Sequence, residues 1–373
     1  MFYLKNVLLM ALPFVAYAGW RIRSLIASRV LKAVFTIAFV LLAVGYPIAE
    51  TRFHDAADGW AGAVVLFGNY ALPLMLYVIM TVVLADIAVG VLRLTRLVSR
   101  EAIRSARVRG LRLSVMLALP VLVVAYGVVN HNVLRVKEYR IEVPRRSSPA
   151  RELTVVFMAD LHFRRLVPDR LLDALTAKVN ALEPDVILVG GDILESGRRN
   201  GDSDRYERAF RRMSSKYGIF AVVGNHDRYA RAADGEFFAR AGIRLLQDEA
   251  AVVDGAFVLA GRRDSWRGGR KSVDELLAEA PKDLPVILLT HRPVELDQAV
   301  RAGVDIQLSG HTHHGQLFPV NWVTAHEYEI SWGYLNKGPT HVFVTSGVQL
   351  WGPPVRTVGA SEILAVRVTL AGD

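Results

Sequence analysis

The chain has 373 residues and no cysteine, which excludes disulfides, thiolate metal sites and a cysteine nucleophile. Its hydrophobic content of 52% is high for a soluble protein, and its net charge is +9. Residues 1–150 carry 18 basic and 7 acidic residues, whereas residues 151–373 carry 27 and 29. The excess of positive charge therefore belongs to the first part of the chain, and a basic groove for nucleic acid is not expected in the second.

Four apolar stretches precede residue 130, and each is close to the ~20 residues that a helix needs to cross the hydrocarbon core. The first shows no small-residue cleavage site, so we predict a retained helix rather than a signal peptide. Lys32 and Asp86 lie near the ends of their stretches, where we expect them to reach the interface rather than to line an ion pathway. The four predicted transmembrane helices cover about 2–20, 30–49, 62–85 and 113–130.

The charges of the connecting loops predict the orientation of these helices. Residues 93–112 contain seven arginines and one acid, whereas the loop between the second and third stretches, with Glu50, Asp55 and Asp58, is acidic. Because positively charged loops stay in the cytoplasm, the chain beyond residue 131 is predicted to be extracytoplasmic. Five basic residues between 135 and 146 argue against this orientation. They are expected either to lie along anionic headgroups or to belong to a solvated linker.

The pattern of the chain changes after a basic linker, which we place at residues 131–152. From there, short runs rich in β-branched residues, such as LTVVFMAD (153–160) and VILVGGD (186–192), alternate with amphipathic segments such as PDRLLDALTAKVNALEPD (168–185). This alternation predicts an α/β domain over residues 153–373, carried on a helical membrane region.

Five of the predicted strands end in polar residues at their carboxyl tips, the edge at which open α/β sheets bind ligands. A buried strand that ends in a carboxylate is unfavourable unless the charge has a partner. Oxygen and nitrogen donors without sulfur suit Mn, Fe, Zn or Mg. The residues concerned are Asp160, His162, Asp192, Asn225, His226, Asp227, His291, His311 and His313.

The ordered motifs D-x-H, G-D, G-N-H-D, H and G-H-x-H resemble the calcineurin-like metallophosphoesterase superfamily over roughly residues 150–370. The stretches GHTHHGQL and SGVQLWGPPVR look most similar to its bacterial membrane-associated branch, where G-H-T-H-G-G-Q is the usual form and His314 replaces a glycine. The resemblance implies a metallophosphoesterase-type β-sandwich flanked by helices, a four-layer αββα fold, behind the four-helix transmembrane region.

The resemblance also implies two divalent metal ions, which are Mn, Fe, Zn or Mg. The ligands that it implies for the first ion are Asp160, His162 and His313. The ligands that it implies for the second ion are Asn225, His291 and His311, with Asp192 bridging both. His226 would contact the phosphate and protonate the leaving oxygen, and Asp227 would orient it. The third histidine of the loop, His314, would either touch substrate or be an exposed loop residue.

The sequence thus predicts a membrane-anchored dinuclear-metal phosphoesterase that uses a metal-activated hydroxide on a phosphodiester or phospholipid-like ester. Monoester and pyrophosphate cleavage remain open. The alternative is a catalytically silent membrane sensor or transporter with a metal-binding extracytoplasmic domain. Membrane lipids are expected partners, and nucleic acid is not.

Several further features outside the motifs are open to interpretation. Asp264 is expected to be structural, although a supporting role at the site is open. Arg228 and Arg292 follow motif residues and would contact either phosphate or a surface carboxylate. The polar run 195–205 is expected to be a mobile loop near the site. Three tryptophans would wall a cleft, meet the membrane interface or pack in the core, and these are Trp322, Trp332 and Trp351.

Overall fold

The protein forms two compact units. One consists of Met1–Val129 with Gly352–Thr357, and the other of Asn130–Trp351 with Val358–Asp373. The structure, a computed structural model, describes residues 2–53, 56, 58–163, 167–195, 203–229, 235–264 and 269–372.

The first unit is helical. Its helices are α1 (Phe2–Leu25), α2 (Arg29–Arg52), α3 (Gly59–Leu94), α4 (Arg100–Arg104) and α5 (Ala106–Asn132), whose last residues enter the second unit. Within the described part of the chain, three helices are long and apolar enough to cross a membrane, namely α2, α3 and α5. Of the four expected spans, the described part of the chain therefore supports three. The predicted span 2–20 lies in α1, where the side chains of residues 2–9 are outside the described part.

An ion-pair cluster joins three helices of this unit. The Asp86 carboxylate on α3 contacts the Arg21 guanidinium of α1 at 2.6 Å, the Arg112 guanidinium of α5, and the Tyr17 hydroxyl at 2.7 Å. The carboxylate is thus held by neighbouring helices, and its expected place at the interface stays a prediction. A charge removed from water is stabilised by such partners.

The second unit contains two six-stranded sheets. The first sheet, in order across it, contains β1 (Leu134–Pro144), β12 (Ser361–Ala371), β2 (Glu152–Met158), β3 (Val186–Val189), β4 (Ile219–Ala221) and β5 (Ile243–Leu245). The second contains β10 (Gly333–Lys337), β11 (Thr340–Val344), β9 (Ile306–Ser309), β8 (Val286–Thr290), β7 (Phe257–Arg262) and β6 (Glu249–Val253). Strands β2 to β5 are mutually parallel, as are β11, β9, β8 and β7.

The helices that follow in this unit are α6 (Asp169–Asn180), α7 (Ser203–Arg211), α8 (Asn225–Tyr229), α9 (Glu236–Ala241), α10 (Val273–Leu277), α11 (Leu296–Arg301) and α12 (Val320–Glu327). Five of them, α6, α7, α9, α10 and α11, pack against the outer faces of the two sheets. Phe157 and Leu188 of the first sheet share one buried cluster with Leu289 and Phe343 of the second, so the sheets pack face to face. Separate clusters join α6, α7 and α9 to the first sheet, and α10 and α11 to the second. The predicted four-layer αββα arrangement is confirmed.

The domain boundaries differ from the prediction at two places. The expected linker 131–152 contains the strand β1, which pairs in parallel with β12 over its whole length. The basic residues of β1 alternate with buried ones such as Ile141, so a charged strand was mistaken for a linker. The segment Gly352–Thr357 belongs with the helical unit. There, Arg356 N–H donates to the Gly127 carbonyl at 3.0 Å.

Candidate metal centre

The polar residues that follow the strands of both sheets converge at one end of the sandwich. Asp160 and His162 follow β2, Asp192 follows β3 and Asn225 follows β4. From the second sheet, His291 follows β8, and His311 and His313 follow β9. The structure brings all of these residues together in two adjacent clusters of possible metal ligands.

The first cluster consists of Asp160, His162 and His313, which are all buried and offer ligand atoms within 4.8 Å of one another. His162 Nε2 lies 3.1 Å from His313 Nε2, and His313 Nε2 lies 3.7 Å from Asp160 Oδ1. Imidazole nitrogens and a carboxylate oxygen directed at a common point form a donor set for a divalent transition metal.

The second cluster consists of Asp192, His291 and His311, with Asn225 beside it. His291 Nε2 lies 3.2 Å from Asp192 Oδ2, from His311 Nδ1 and from Asn225 Oδ1. The four residues predicted for the second ion therefore meet around one ring nitrogen. Their donors are again nitrogen and oxygen only.

Asp192 lies between the two clusters. Its Oδ2 atom is 3.2 Å from His291 Nε2 and 3.9 Å from His162 Nε2, so one carboxylate oxygen reaches both. Its Oδ1 atom accepts the backbone N–H of His226 at 2.8 Å. This hydrogen bond fixes the orientation of the carboxylate, as a bridging ligand requires.

The outer nitrogens of two histidines are held by hydrogen-bond acceptors. His162 Nδ1 donates to Glu195 Oε2 at 2.6 Å, and His291 Nδ1 donates to the Gly190 carbonyl at 2.8 Å. A neutral imidazole that donates through Nδ1 keeps the Nε2 lone pair for a metal, and such outer partners orient the rings of metal ligands. The residues therefore fit divalent ions in chemistry and in orientation.

Two glycines make room for the buried carboxylates. A Cβ atom on Gly224 would lie 2.1 Å from Asp192 Oδ1, and one on Gly310 would lie 2.5 Å from Asp160 Oδ2. Neither position accepts a side chain without moving a predicted ligand. The first glycine of the G-N-H-D motif and that of the G-H-x-H motif are thus explained by the close approach of a carboxylate to the backbone.

The backbone of the site is strained. Non-glycine residues rarely adopt a positive φ, and clusters of such residues concentrate at functional sites. The residues of the site with a positive φ are Asp160 (53°), His162 (40°), Asp192 (51°), His311 (73°), His313 (47°), His314 (48°) and Gln316 (43°). This concentration at the strand tips favours a functional role for them.

Burial and mutual charge shift the pKa values of the ligand residues in opposite directions. Burial raises the pKa of Asp160 to about 6. Burial opposes ionisation of Asp192 as well, but the charge and hydrogen bond of His291 hold its pKa below the usual range. Burial would lower the pKa of His291, yet the charge of Asp192 raises it to about 10. Burial and the charge of His291 lower the pKa of His311 to about 2. Perturbed groups of this kind cluster at functional sites.

The His226 ring is oriented by Glu195, and this corrects the expectation that Asp227 orients it. His226 Nδ1 donates to Glu195 Oε1 at 2.8 Å. The Asp227 carboxylate instead accepts the backbone N–H groups of Ile193, Leu194 and Gly224, each at 2.8 Å. Its pKa is raised to about 6 by burial and by the charge of Asp192. Asp227 therefore shapes the loops that carry the ligands.

Glu195 is a residue of the site that the sequence motifs do not include. It lies within the polar run 195–205, of which residues 196–202 lie outside the described part of the chain. Burial disfavours its charge, but hydrogen bonds from His162 and His226 hold its pKa below the usual range. The available signal was its position, three residues after the predicted bridging ligand Asp192.

His314 belongs to neither cluster of possible metal ligands. Its Nδ1 atom lies 3.1 Å from Ser331 Oγ, and its ring centroid lies 5.1 Å from that of Trp332. The Trp332 indole N–H donates to Glu362 Oε1 at 2.7 Å. The ring of His314 is half-buried against Trp332 and is therefore not freely exposed, whereas contact with substrate stays a prediction.

Four other residues that the sequence singled out have different surroundings. Arg292 Nη2 donates to Asp264 Oδ2 at 3.0 Å in a buried ion pair, which gives both residues a structural partner. The side chain of Arg228 lies outside the described part of the chain. The Trp351 ring centroid lies 6.4 Å from that of His226, and Trp322 is exposed on α12.

The chain is similar in sequence to known metallophosphoesterases. Residues 153–315 match the family described as "Calcineurin-like phosphoesterase". An uncharacterized metallophosphoesterase of Helicobacter pylori is 29% identical over 58% of this chain and 60% of its own length. A transmembrane protein with metallophosphoesterase domain of Danio rerio is 30% identical over 73% of this chain and 66% of its own. Phosphodiesterase YaeI of Escherichia coli is 31% identical over 52% of this chain and 74% of its own.

The chain belongs to the calcineurin-like metallophosphoesterase family, and three of its helices are suited to cross a membrane. The matched region spans only about 60% of the Helicobacter pylori relative, so the activity, the substrate and the partners of the whole protein are matters for proposal.

Proposed function

We propose that the protein is a membrane-anchored phosphoesterase with a dinuclear metal site that hydrolyses a phosphodiester or phospholipid-like ester. The observation that carries this proposal is the pair of carboxylate–histidine clusters joined by Asp192. Their separation into two donor sets, each with its own histidines, favours two ions over one.

The assignment of ligands follows the contacts. Asp160, His162 and His313 would hold one ion. The other would be held by Asn225, His291 and His311, and Asp192 would contact both. Divalent ions bound there would neutralise phosphate charge and lower the pKa of the attacking water. Mn, Fe, Zn and Mg are the candidates, since all donors are oxygen or nitrogen.

The proton for the leaving oxygen would come from His226. Burial disfavours its protonation, but the hydrogen bond to Glu195 and the charge of Asp192 raise its pKa above the ordinary histidine value. The raised pKa favours the protonated ring, which is the form that a general acid needs. The ring would give its proton to the ester oxygen as the phosphorus–oxygen bond breaks, while water supplies the new oxygen on phosphorus.

The substrate class is inferred from context. The helices that could span a membrane favour an ester that occurs at a membrane surface, and the name of the Escherichia coli relative favours a diester. Membrane lipids are thus proposed partners. Nucleic acid is not, because residues 151–373 carry 27 basic and 29 acidic residues and offer no excess of positive charge for a polyanion.

The orientation follows from the arginine-rich segment 93–112, whose seven arginines lie at the end of α3, at the start of α5 and between these two helices. A segment this basic stays in the cytoplasm, so α5 would carry the chain outward whichever way α1 is counted. The second unit would accordingly be extracytoplasmic.

The proposal is tested by hydrolysis assays on full-length protein purified in detergent. Bis(4-nitrophenyl) phosphate, 4-nitrophenyl phosphate and pyrophosphate are compared after chelation and after addition of Mn²⁺. We expect metal-dependent release of nitrophenol, with the diester preferred. Two bound ions without hydrolysis of any ester would contradict the proposal and favour a metal-binding sensor.

A further inference from the structure

Helix α12 is an exposed apolar element of the second unit. Among its eight residues, Val320, Trp322 and Val323 are 40%, 65% and 63% exposed, and none of its residues is buried. Its first seven residues carry no acidic or basic charge other than a histidine. Exposed apolar groups on one short helix mark a surface that binds something. Val320 and Val323 are three positions apart, so they share a face.

Both ends of α12 lie beside the candidate metal centre. At its start, a Cβ atom on Gly315 of the histidine loop would lie 2.6 Å from Asn321 N. After its last turn, the Tyr328 ring centroid lies 6.2 Å from that of His311. Phe318 packs edge-on against Trp322 at 4.9 Å and extends the apolar surface toward the site. Whatever binds α12 is thereby brought next to the clusters.

The chain itself indicates what that partner is. Only Val133 separates the end of α5, a membrane-spanning helix, from the first residue of β1. The segment Gly352–Thr357 belongs to the helical unit and begins directly after Trp351. Its two flanks are tied to the histidine loop, since Gln316 Nε2 donates to the Trp351 carbonyl and Val358 N–H donates to the Gln316 carbonyl. The loop that precedes α12 is therefore bonded to the two residues between which the chain enters and leaves the helical unit.

We propose that α12 inserts its apolar face into the lipid–water interface beside the site. Tryptophan favours this region because its ring is apolar and its N–H remains hydrated. A short neutral helix suits the headgroup boundary rather than the hydrocarbon core. Insertion would present phosphate esters of membrane lipids to the metal centre, and this second part rests on the proposed function.

The absence of cysteine permits a direct test of insertion, since a single introduced cysteine carries the only label. Val323→Cys and Trp322→Cys are labelled with a nitroxide in the full chain, reconstituted into phosphatidylcholine nanodiscs. Val252→Cys is the matched control, because Val252 is 46% exposed on the edge strand β6. Collision of each label with oxygen and with a water-soluble nickel complex is measured by electron paramagnetic resonance.

We expect labels at positions 322 and 323 to collide more with oxygen than with the nickel complex. The label at position 252 should show the reverse. Equal nickel access at 323 and 252 would overturn the proposal. Protection of 323 from both reagents would also overturn it, because the face would then be covered by protein, such as a second copy of the chain.

A second measurement separates insertion from catalysis. Trp322→Ser should lower the ratio of lipid-diester hydrolysis in phosphatidylcholine vesicles to bis(4-nitrophenyl) phosphate hydrolysis on the order of tenfold. An unchanged ratio would overturn the presentation of lipid esters. If the wild type hydrolyses neither substrate, the proposed function fails, while the nitroxide result still decides whether α12 enters lipid.

Discussion

Glu195 holds His226 through a hydrogen bond of 2.8 Å from the ring Nδ1 atom to Oε1. The second oxygen of the same carboxylate accepts from His162 Nδ1 at 2.6 Å. One acidic side chain therefore orients both the proposed proton donor and a proposed metal ligand. Through Glu195, the position of His162 in the first cluster is therefore coupled to the position of His226, the proposed proton donor.

Replacement of Glu195 by glutamine should slow hydrolysis by about ten- to a hundredfold and shift its pH profile. The hydrogen bond and charge of Glu195 raise the pKa of His226, so their loss lowers it. Activity that needs protonated His226 would then decline at a lower pH than in the wild type. Rates measured from pH 5 to 9 check this.

The matched control is Glu249→Gln, since Glu249 is an exposed carboxylate on β6 whose contact with Arg244 is 3.8 Å long. It should leave the profile unchanged. If the activity of Glu195→Gln declined at the same alkaline pH as that of the wild type, Glu195 would not set the protonation of His226.

The two adjacent histidines of the loop should behave differently. His313→Ala removes a ring nitrogen of the first cluster, so the metal content per chain should fall. His314→Ala should leave the metal content intact, because its ring packs on Trp332 and contacts Ser331. A loss of stability of about 1 kcal/mol is expected from the lost packing. Elemental analysis and thermal unfolding distinguish the two variants, and equal metal loss in both would refute the assignment.

Gly224→Ala should abolish activity by steric displacement alone. The added Cβ atom would approach Asp192 Oδ1 to 2.1 Å, and a shift of the carboxylate by about 1 Å costs at least about a hundredfold in rate. Gly372→Ala is the control, since nothing lies within 4 Å of its added Cβ. Activity and metal content are compared between the two variants. Wild-type values in Gly224→Ala would mean that the Asp192 carboxylate can move aside without loss of function.

The strand tips could be predicted from the sequence because short-range patterns determine them. Buried strands such as β2 and β3 are continuous apolar runs, and the polar residues directly after them stand out. Parallel strands bring their carboxyl ends to one edge, so Asp160 and Asp192 were expected to lie close together.

The parts that the sequence did not reveal depend on distant partners. Strand β1 pairs with β12 more than 200 residues away, and its charges mask the alternation of a half-buried strand. Glu195 lies in a polar run whose composition predicts only a loop, and its partner His226 is 31 residues further on. The segment Gly352–Thr357 joins the helical unit through contacts such as Arg356 with Gly127, which no local pattern encodes.

The orientation in the membrane can be measured with introduced cysteines. Leu97→Cys lies in the arginine-rich loop, and Ser214→Cys lies on an exposed turn of the second unit. A membrane-impermeant maleimide added to intact cells should label position 214 at once and position 97 only after permeabilisation. The reverse pattern would overturn the extracytoplasmic placement while leaving the chemistry untouched.

The most direct test of the dinuclear site compares two aspartates with similar backbones. Asp192 has a φ of 51°, and Asp254 has a φ of 46° in an exposed turn, so asparagine, which tolerates this conformation, fits both positions. Hydrolysis of bis(4-nitrophenyl) phosphate and bound metal per chain are measured for the wild type, Asp192→Asn and Asp254→Asn. The wild type and Asp254→Asn should bind two ions and hydrolyse the diester, whereas Asp192→Asn should lose nearly all activity. Full activity in Asp192→Asn would contradict a site built around that carboxylate.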